Sequence, residues 1–425
     1  THGYILPKQP VYVGQYSLVV FLSHITRLPI FYIDSFFVPV LSAIFLPLVI
    51  EKTLKQVWNI PERVAINLTW VLPIIFYISL HLTTPHNVLL LLFIITIFAA
   101  LAFMNNKLPA TVPLILGIAG LGIHALLGAP IFLLVMTAII LKNYTKYRTA
   151  LLVTYTVILI FLFPALFTLF FWLSGKPLPE LSNPLSHIYP FLDLFRLPYW
   201  YEKDAGFFWN FLYLMQRVLP VILTLGAVLS FLYIGKKKKI ADIHILFLLS
   251  FIGFWIGAYL LRSWIIFPDV GAYEQGDYPL RLIKSSIIFL LPWLMYGVYL
   301  VVEGVAQKMQ RRFSMRAQKI FYTCFLCVCA IVITRSFYFS YPQENKKVHF
   351  PGYNVTEADF EAARWIDTDN TQYNYVVLSN PLTAIAAMTQ FGFPKYFETA
   401  DGLQSYYSIP SGGRLFAIYQ KMLYE

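Results

Sequence analysis

Residues 88–104 read VLLLLFIITIFAALAFM, an apolar run without a single charged side chain. A helix rises about 1.5 Å per residue, so runs of about 20 residues cross about 30 Å of hydrocarbon. The whole chain shares this character: its 425 residues are 58% hydrophobic and only 12% charged, with a mean hydropathy of +0.65. Soluble domains carry about 25% charged residues. The composition therefore excludes a soluble enzyme, a disordered chain and a collagen-like fibre, and predicts a polytopic membrane protein.

About ten apolar runs are predicted to span the membrane, and the fifth is short for a crossing. They are 30–50, 64–80, 88–104, 108–127, 129–141, 149–173, 209–234, 240–261, 285–302 and 320–340. The fourth and fifth together are also compatible with one long element broken by glycines. That alternative would invert the orientation of everything before it.

Basic residues orient the spans, because cytoplasmic loops are enriched in Lys and Arg. If loop 235–240 is cytoplasmic, its side of the membrane holds sixteen basic residues: Lys236, Lys237, Lys238, Lys239, Lys52, Lys55, Arg63, Lys107, Lys142, Lys146, Arg148, Lys308, Arg311, Arg312, Arg316 and Lys319. The other side holds six: Lys176, Arg196, Lys203, Arg262, Arg281 and Lys284. The net charge of +11 is thus a signal of orientation and not of nucleic-acid binding. The apolar runs and the basic loops together predict a multi-pass protein of the cytoplasmic (plasma) membrane.

This orientation places both chain ends outside the cytoplasm. Residues 1–29 are predicted to end a first outer loop, with an interfacial helix over 16–25. Because the chain begins at Thr1 and not at Met, we expect one span to be missing upstream. Residues 30–340 form the all-α transmembrane domain.

After residue 340 the composition becomes that of a water-exposed segment. Thr356 followed by Asp359 predicts the start of a helix that runs through Trp365. A buried strand is expected over 375–379 and a turn over 411–413. Residues 341–425 are therefore predicted to begin an extracytoplasmic α/β domain that is cut off at its far end.

The unusual sequence lies on the outer side, in two long loops. Loop 174–208 is rich in proline and aromatic residues, and its stretch 187–201 predicts a helix in the headgroup region. Loop 262–284 carries Asp269, Glu274, Asp277, Arg262, Arg281 and Lys284. Its carboxylates and cations match the chemistry that binds a divalent cation and a phosphate together, or they compensate one another in water.

Other ionisable groups near the span ends are candidates for function. Asp34 begins the first span, as a headgroup-layer carboxylate or as part of a site. His86 shares an outer loop with His81; a metal site and plain loop histidines are both compatible with this pair. His124 is a core residue or lines a cavity. Arg217, inside its span, requires an anion. The three cysteines share one span, so they are interpreted as small apolar residues.

The pattern resembles the GT-C type membrane glycosyltransferases that depend on polyprenyl phosphate, in the superfamily of the mannosyl- and aminoarabinose-transferring enzymes. Residues 3–7 (GYILP), 12–16 (YVGQY) and 25–30 (ITRLPI) resemble the end of that fold's first outer loop. Residues 122–128 (GIHALLG) resemble a segment of that family in which glycines flank a histidine. Residues 360–366 (FEAARWI), 375–379 (YVVLS) and 411–415 (SGGRL) resemble the beginning of its extracytoplasmic domain.

The resemblance implies transfer of a sugar from a polyprenyl-phosphate lipid to a protein or glycolipid acceptor at the outer membrane surface. It implies a catalytic carboxylate in the first outer loop, where residues 1–29 have neither Asp nor Glu, so we expect it upstream of Thr1. Some branches use a divalent cation such as Mg²⁺ or Mn²⁺. By position, Arg281, Arg262 and Arg217 are expected to bind the donor phosphate. Acceptor or metal contacts are expected from Asp34, Glu274, Asp277 and His86.

Three other functions stay open. A transporter or lipid flippase is the main alternative, although no internal repeat is visible and the polar groups cluster on one face. A lipid-linked O-antigen ligase or polymerase also uses outer-loop arginines, but the water-exposed tail argues against it. The third is a non-catalytic scaffold subunit. The transferase predicts an outer cavity lined by Asp34, Arg217 and Arg281, whereas a transporter predicts one at mid-membrane.

Overall fold

The computed structural model of the chain describes residues 13–173, 178–195, 206–237, 241–267, 272–340, 355–369, 377–378, 381–391, 396–399, 402–405, 418 and 421–422. Helices dominate these residues. The first nine helices are α1 (Val13–Thr26), α2 (Ile30–Trp58), α3 (Glu62–Leu68), α4 (Val71–His81), α5 (Pro85–Met104), α6 (Thr111–Ile123), α7 (Ala125–Asn143), α8 (Arg148–Leu173) and α9 (Ile188–Leu192). The next six are α10 (Phe207–Lys237), α11 (Asp242–Ser263), α12 (Ala272–Arg312), α13 (Met315–Tyr338), α14 (Glu357–Asp369) and α15 (Pro381–Phe391).

Eight helices of the described residues are long and apolar enough to cross a membrane, namely α2, α5, α7, α8, α10, α11, α12 and α13. The pair α3 and α4, bent by 49°, makes a ninth if it counts as one span. The prediction of an all-α polytopic membrane protein is confirmed at this level. The sequence predicts that the fifth apolar run is the short one, but the short helix is in the fourth. The run 108–127 holds only the 13-residue α6, whereas α7 of the fifth run has 19 residues.

The helices α6 and α7 form an antiparallel hairpin that turns at His124. The backbone of His124 is extended, with φ −155° and ψ 94°, which ends one helix and starts the next. A Cβ on Gly128 would lie 2.2 Å from the carbonyl oxygen of Gly120, so only glycine permits this close approach. Residues 108–141 are therefore not one long element.

The two ends of the bundle differ in chemistry. At one end, Lys142 Nζ donates to the Phe103 carbonyl at 2.5 Å, and Arg148 pairs with Asp242 at 2.7 Å. We call this the basic end, because the lysine- and arginine-rich loops adjoin it. The opposite end, which carries His86 and His124, is called the histidine end. Contacts such as Tyr213 with Tyr338 join α10 to α13 there.

The core lies around α5, of whose most apolar window 83% is buried, against 11% for α13. Phe93 of α5 packs edge-on against Phe289 of α12 at 5.0 Å between ring centroids. Phe254 of α11 makes the same kind of contact with Phe163 of α8 and with Phe289. This aromatic layer ties four helices together and fixes how α5, α8 and α12 meet at the histidine end.

Region 262–284 is not the loop that the sequence predicts. Arg262 lies in the last turn of α11, and α12 already begins at Ala272 and continues for 41 residues. The apolar run that marks a span begins only at Ser285, so hydropathy misses the polar turns that precede it. Glu274, Asp277 and Arg281 are consequently helical residues.

A small cap covers one side of the histidine end. It consists of residues 178–195, and its strand β1 (Glu180–Leu181) pairs antiparallel with β2 (Ile265–Ile266). Ser182 Oγ donates to the Ser263 carbonyl at 2.7 Å, and the Tyr259 hydroxyl donates to the Pro184 carbonyl at 2.7 Å. The helix predicted over 187–201 is limited to α9 and its 3₁₀ flanks up to residue 195; residues 196–201 lie outside the description.

The interfacial helix predicted over 16–25 corresponds to α1. A Cβ on Gly14 would lie 1.7 Å from the carbonyl oxygen of Gly122, so the start of α1 presses directly on the α6–α7 turn.

The described C-terminal residues contain both helix and strand. Asp359 Oδ2 accepts hydrogen bonds from Thr356 N at 2.8 Å and from its hydroxyl at 2.7 Å, so α14 begins as predicted. Alanines of α14 and α15 form a small separate core, and β3 (Tyr396–Thr399) pairs with β4 (Gly402–Ser405). Val377 and Leu378, from the predicted strand, are in no strand. The predicted turn at 411–413 lies outside the described residues.

Candidate functional site

His86 is held in place by the start of α5. The Thr84 hydroxyl accepts a hydrogen bond from the Asn87 backbone N–H at 3.2 Å, and Pro85 takes the first helical position. The Asn87 side chain donates to the Leu82 carbonyl at 2.8 Å. These contacts make His86 the second residue of the helix, half-buried at the histidine end.

His124 meets His86 from the turn of the α6–α7 hairpin. Its side chain is 5% exposed, and the centroids of the two imidazole rings are 6.2 Å apart in an edge-to-face arrangement. The close packing of Gly120 on Gly128 fixes the turn, so two histidines from separate helical hairpins share one space.

The third component comes from the first turns of α12. Arg281 pairs with Asp277, one turn earlier, at 2.5 Å between guanidinium and carboxylate. Its guanidinium also lies 5.8 Å from the centroid of the Tyr278 ring. The Tyr278 ring in turn packs against Phe167 of α8 at 4.8 Å. Arg281 is therefore oriented by its own helix, and its side chain is 44% exposed.

A small cavity lies between these residues. Its volume of about 20 Å³ is enough for one water molecule. The lining has a polar part and an apolar part: His86, His124, Tyr278 and Arg281, and then Leu126, Leu127, Phe163, Phe167 and Leu282. A basic wall beside an apolar wall matches the chemistry of a lipid phosphate. A phosphate group is larger than one water molecule, so it would reach Arg281 from the exposed side of this side chain.

The electrostatic environment of the cavity is positive. The charges of Arg281 and Lys284 act on His86, and the charge of Arg281 acts on His124. Among the described lining residues none is acidic. Asp277 neutralises part of this charge through its ion pair with Arg281, although it does not line the cavity.

Of the predicted donor-phosphate residues whose side chains the structure describes, Arg281 lines this cavity and Arg262 does not. Arg262 donates from Nε to the Pro190 carbonyl at 3.3 Å and so holds the cap. The side chain of Arg217 lies outside the described part of the structure.

The predicted acceptor or metal residues are likewise dispersed. His86 lines the cavity and Asp277 lies beside it. Asp34 is exposed at the start of α2, where its carboxylate accepts from Gln15 Nε2 at 3.2 Å, and it does not line the cavity. The side chain of Glu274 is not described. No three His, Cys, Asp or Glu side chains meet as a metal site within the described residues, and the divalent cation stays a prediction.

A wider depression lies between α1 and α2. Its volume is about 370 Å³, and His24 and Arg27 line it with neighbouring apolar residues. Both side chains are exposed, as Arg281 is, so water screens their charges. The smaller cavity differs because His124 is buried beside its arginine. The smaller cavity is the better candidate.

The chain has no match among protein-family models, curated proteins or solved structures. The resemblance to GT-C type glycosyltransferases therefore stays a prediction from the sequence.

Sequence reasoning left the role of His124 open and did not name Tyr278. The available signal for His124 was its position between glycines, which permit a tight hairpin. For Tyr278 it was the spacing of three residues from Arg281, which puts both on one helix face. Nothing in the sequence distinguishes Phe163 and Phe167 from the other apolar residues of a membrane span.

Proposed function

We propose that this protein transfers a sugar from a polyprenyl-phosphate donor to an acceptor at the membrane face on the histidine end. The observation that supports the proposal is the position of Arg281 in a cavity with one basic wall and one apolar wall. A guanidinium recognises phosphate through two parallel hydrogen bonds, and Phe163, Phe167 and Leu282 offer contact for the adjoining prenyl carbons.

The location of the cavity favours a transferase over the alternative, a transporter or lipid flippase. Transporter sites lie near the bilayer midplane, at broken helices. Here His86 is the second residue of α5 and His124 lies in the turn after α6, so the site is at the end of the bundle. With the basic end in the cytoplasm, the transfer takes place on the extracytoplasmic side. The acceptor is then a protein or a glycolipid that reaches this face.

The test is the replacement of Arg281 in the full-length protein, reconstituted in vesicles with a panel of radiolabelled polyprenyl-phosphate sugars. We expect Arg281→Ala to lower sugar transfer at least about 100-fold, which corresponds to about 2.7 kcal/mol of lost transition-state stabilisation. Arg281→Lys should keep part of the activity, because the charge is retained without the fork of donors.

The matched control is Arg312→Ala, which removes the same side chain from the other end of the same helix. It should leave transfer unchanged. Equal turnover of the Arg281→Ala variant and the wild type would remove Arg281 from the site. Translocation of a fluorescent polyprenyl phosphate by the wild type, without any sugar transfer, would favour the flippase instead.

A further inference from the structure

Two histidines of the cavity have no part in the proposed function so far. They come from α5 and from the α6–α7 turn, and their rings are 6.2 Å apart. The single turn between two glycines and the capped start of α5 hold them in this position. Two histidines that only packed the helices together would not need an arginine beside them, yet Arg281 lines the same cavity.

The described groups around the two histidines come from several helices. α1 packs on the α6–α7 turn and carries Gln15, whose amide donates to the Asp34 carboxylate of α2. α8 contributes only Phe163 and Phe167, and the α6–α7 hairpin contributes Leu126 and Leu127 besides His124. α12 contributes Tyr278 and Arg281, with Lys284 acting through its charge and Asp277 through its ion pair with Arg281. The polar groups of the lining are thus cationic or able to become so, apart from the tyrosine hydroxyl.

We infer that His86 and His124 form, together with Arg281, a site for the phosphate group of a lipid, and that the phosphate binds together with a proton. This inference rests on the proposed function and names the ligand group and the pH dependence of the same site. A phosphate bound at Arg281 would place an anion beside the cavity that both imidazoles line, and an adjacent anion favours a charged imidazolium over a neutral ring. The proton comes from the solvent, and no bond of the lipid is broken in this step.

Proton uptake on binding predicts that the affinity for the phosphate falls as the pH rises. Histidine is the side chain whose charge ordinarily changes between pH 5 and pH 8. If phosphate binding draws a proton onto one of the two rings, the affinity must fall as the pH rises through that range. Arg281 provides attraction that does not depend on pH, because a guanidinium stays charged.

The experiment measures the binding of a polyprenyl methyl phosphate to the full-length protein in lipid nanodiscs. This diester has one negative charge at every pH used and no sugar to transfer, so any pH dependence comes from the protein. We expect the affinity to fall about tenfold between pH 5.5 and pH 8. Titration calorimetry in two buffers with different ionisation enthalpies should show net proton uptake on binding.

The variants His86→Gln and His124→Gln should each reduce this pH dependence, and the double variant should abolish it, with affinity left at the wild-type value for pH 8. The matched control is His81→Gln, at the same end of the bundle, where the ring contacts Tyr77 instead of the cavity. It should keep the full dependence. Inorganic phosphate serves as a second probe: the inference holds for a lipid only if it binds far more weakly than the diester.

Binding by the wild type that does not change with pH would overturn the inference. So would a double variant that keeps the dependence while its thermal midpoint matches the wild type. If a glutamine variant fails to fold, His→Asn at the same position provides the second test. Failure of the proposed function looks different: the diester would bind with the expected dependence, while no donor of the panel is turned over.

Discussion

α12 meets histidines of other helices at two places, through Trp293 in its middle and through Arg281 in its third turn, and the two environments differ. At the basic end, Trp293 is fully buried and donates from Nε1 to His244 Nδ1 at 2.9 Å, while the Trp58 ring lies parallel to the imidazole. Nδ1 accepts and thus has no hydrogen, so the proton of His244 is on Nε2. At the histidine end, His86 and His124 face each other, a cavity and Arg281.

The two environments predict different roles: His244 for stability, and His86 and His124 for binding. A histidine whose ring is packed between tryptophans and bonded to one of them contributes to folding, and its loss leaves a buried polar group without its partner. His86 and His124 line a cavity beside the Arg281 guanidinium, so we expect them to affect binding as well as stability. Three substitutions test this division, from the largest expected effect to the smallest.

The largest effect is expected from Gly128→Ala, which attacks the geometry of the histidine end. The new Cβ would lie 2.2 Å from the Gly120 carbonyl oxygen, so the hairpin must open. We expect a loss of about 3 kcal/mol in the free energy of unfolding, visible as a lower thermal midpoint in detergent. Affinity for the polyprenyl methyl phosphate should fall with it, because His124 moves. Gly122→Ala, whose Cβ would meet nothing within 4 Å, should be harmless; equal midpoints for both variants would contradict the close approach.

A smaller effect is expected at the basic end from Trp293→Phe. The variant removes the donor to His244 and leaves a small void, which should cost about 2 kcal/mol. Binding of the phosphate probe per folded molecule should not change. Trp172→Phe, at a side chain that is 62% exposed towards lipid, is the matched control and should leave the thermal midpoint as it is. A loss of probe affinity in Trp293→Phe would show that the two ends are not independent.

The smallest effect is expected outside both ends, from Thr356→Ala at the start of α14. Hydrogen bonds from the Thr356 backbone N–H and hydroxyl hold the pKa of Asp359 below its usual value. A depressed pKa stabilises the folded state above the usual pKa of aspartate, and this contribution is lost as the pH falls through the folded value. Wild-type α14 should therefore lose amide protection in hydrogen exchange on acidification towards pH 3.

The variant should show less protection at pH 6, by about 1 kcal/mol or less, and a weaker dependence on pH. Neither the transfer nor the probe affinity should change. An identical pH profile in both proteins would mean that the capping contacts do not stabilise α14.

The sequence predicts the membrane class, most of the spans and two of the residues at the cavity. Arg281 and His86 are recognisable because charged and polar groups are scarce in a chain with 12% charged residues. Their meeting is not predictable, since it depends on how α5, α8 and α12 pack around Phe93, Phe254 and Phe289. Periodicity finds an apolar helix but does not choose its neighbours.

The errors of the sequence prediction have a common physical origin. Hydropathy marks the part of a helix that lipid surrounds, so it places the start of α12 at Ser285 and misses the turns that carry Asp277 and Arg281. It also places the break of the α6–α7 hairpin near the glycines, whereas the chain turns at His124 because the glycines are used for the contact between the helices. Asp34 is a candidate because of its position at the outer end of a span, but that position does not determine which way its side chain points, and it does not line the cavity.

α12 is longer than the membrane is thick. Its 41 residues extend roughly 60 Å, twice the hydrocarbon thickness of a bilayer. Helix and membrane therefore match in thickness only over the central part, and the turn with Arg281 stands at a height that the surrounding lipid determines. A thicker bilayer brings the headgroup layer closer to that turn, and a thinner one leaves the turn further out in water. The height of the Arg281 turn relative to the headgroups therefore depends on the thickness of the bilayer as well as on the protein.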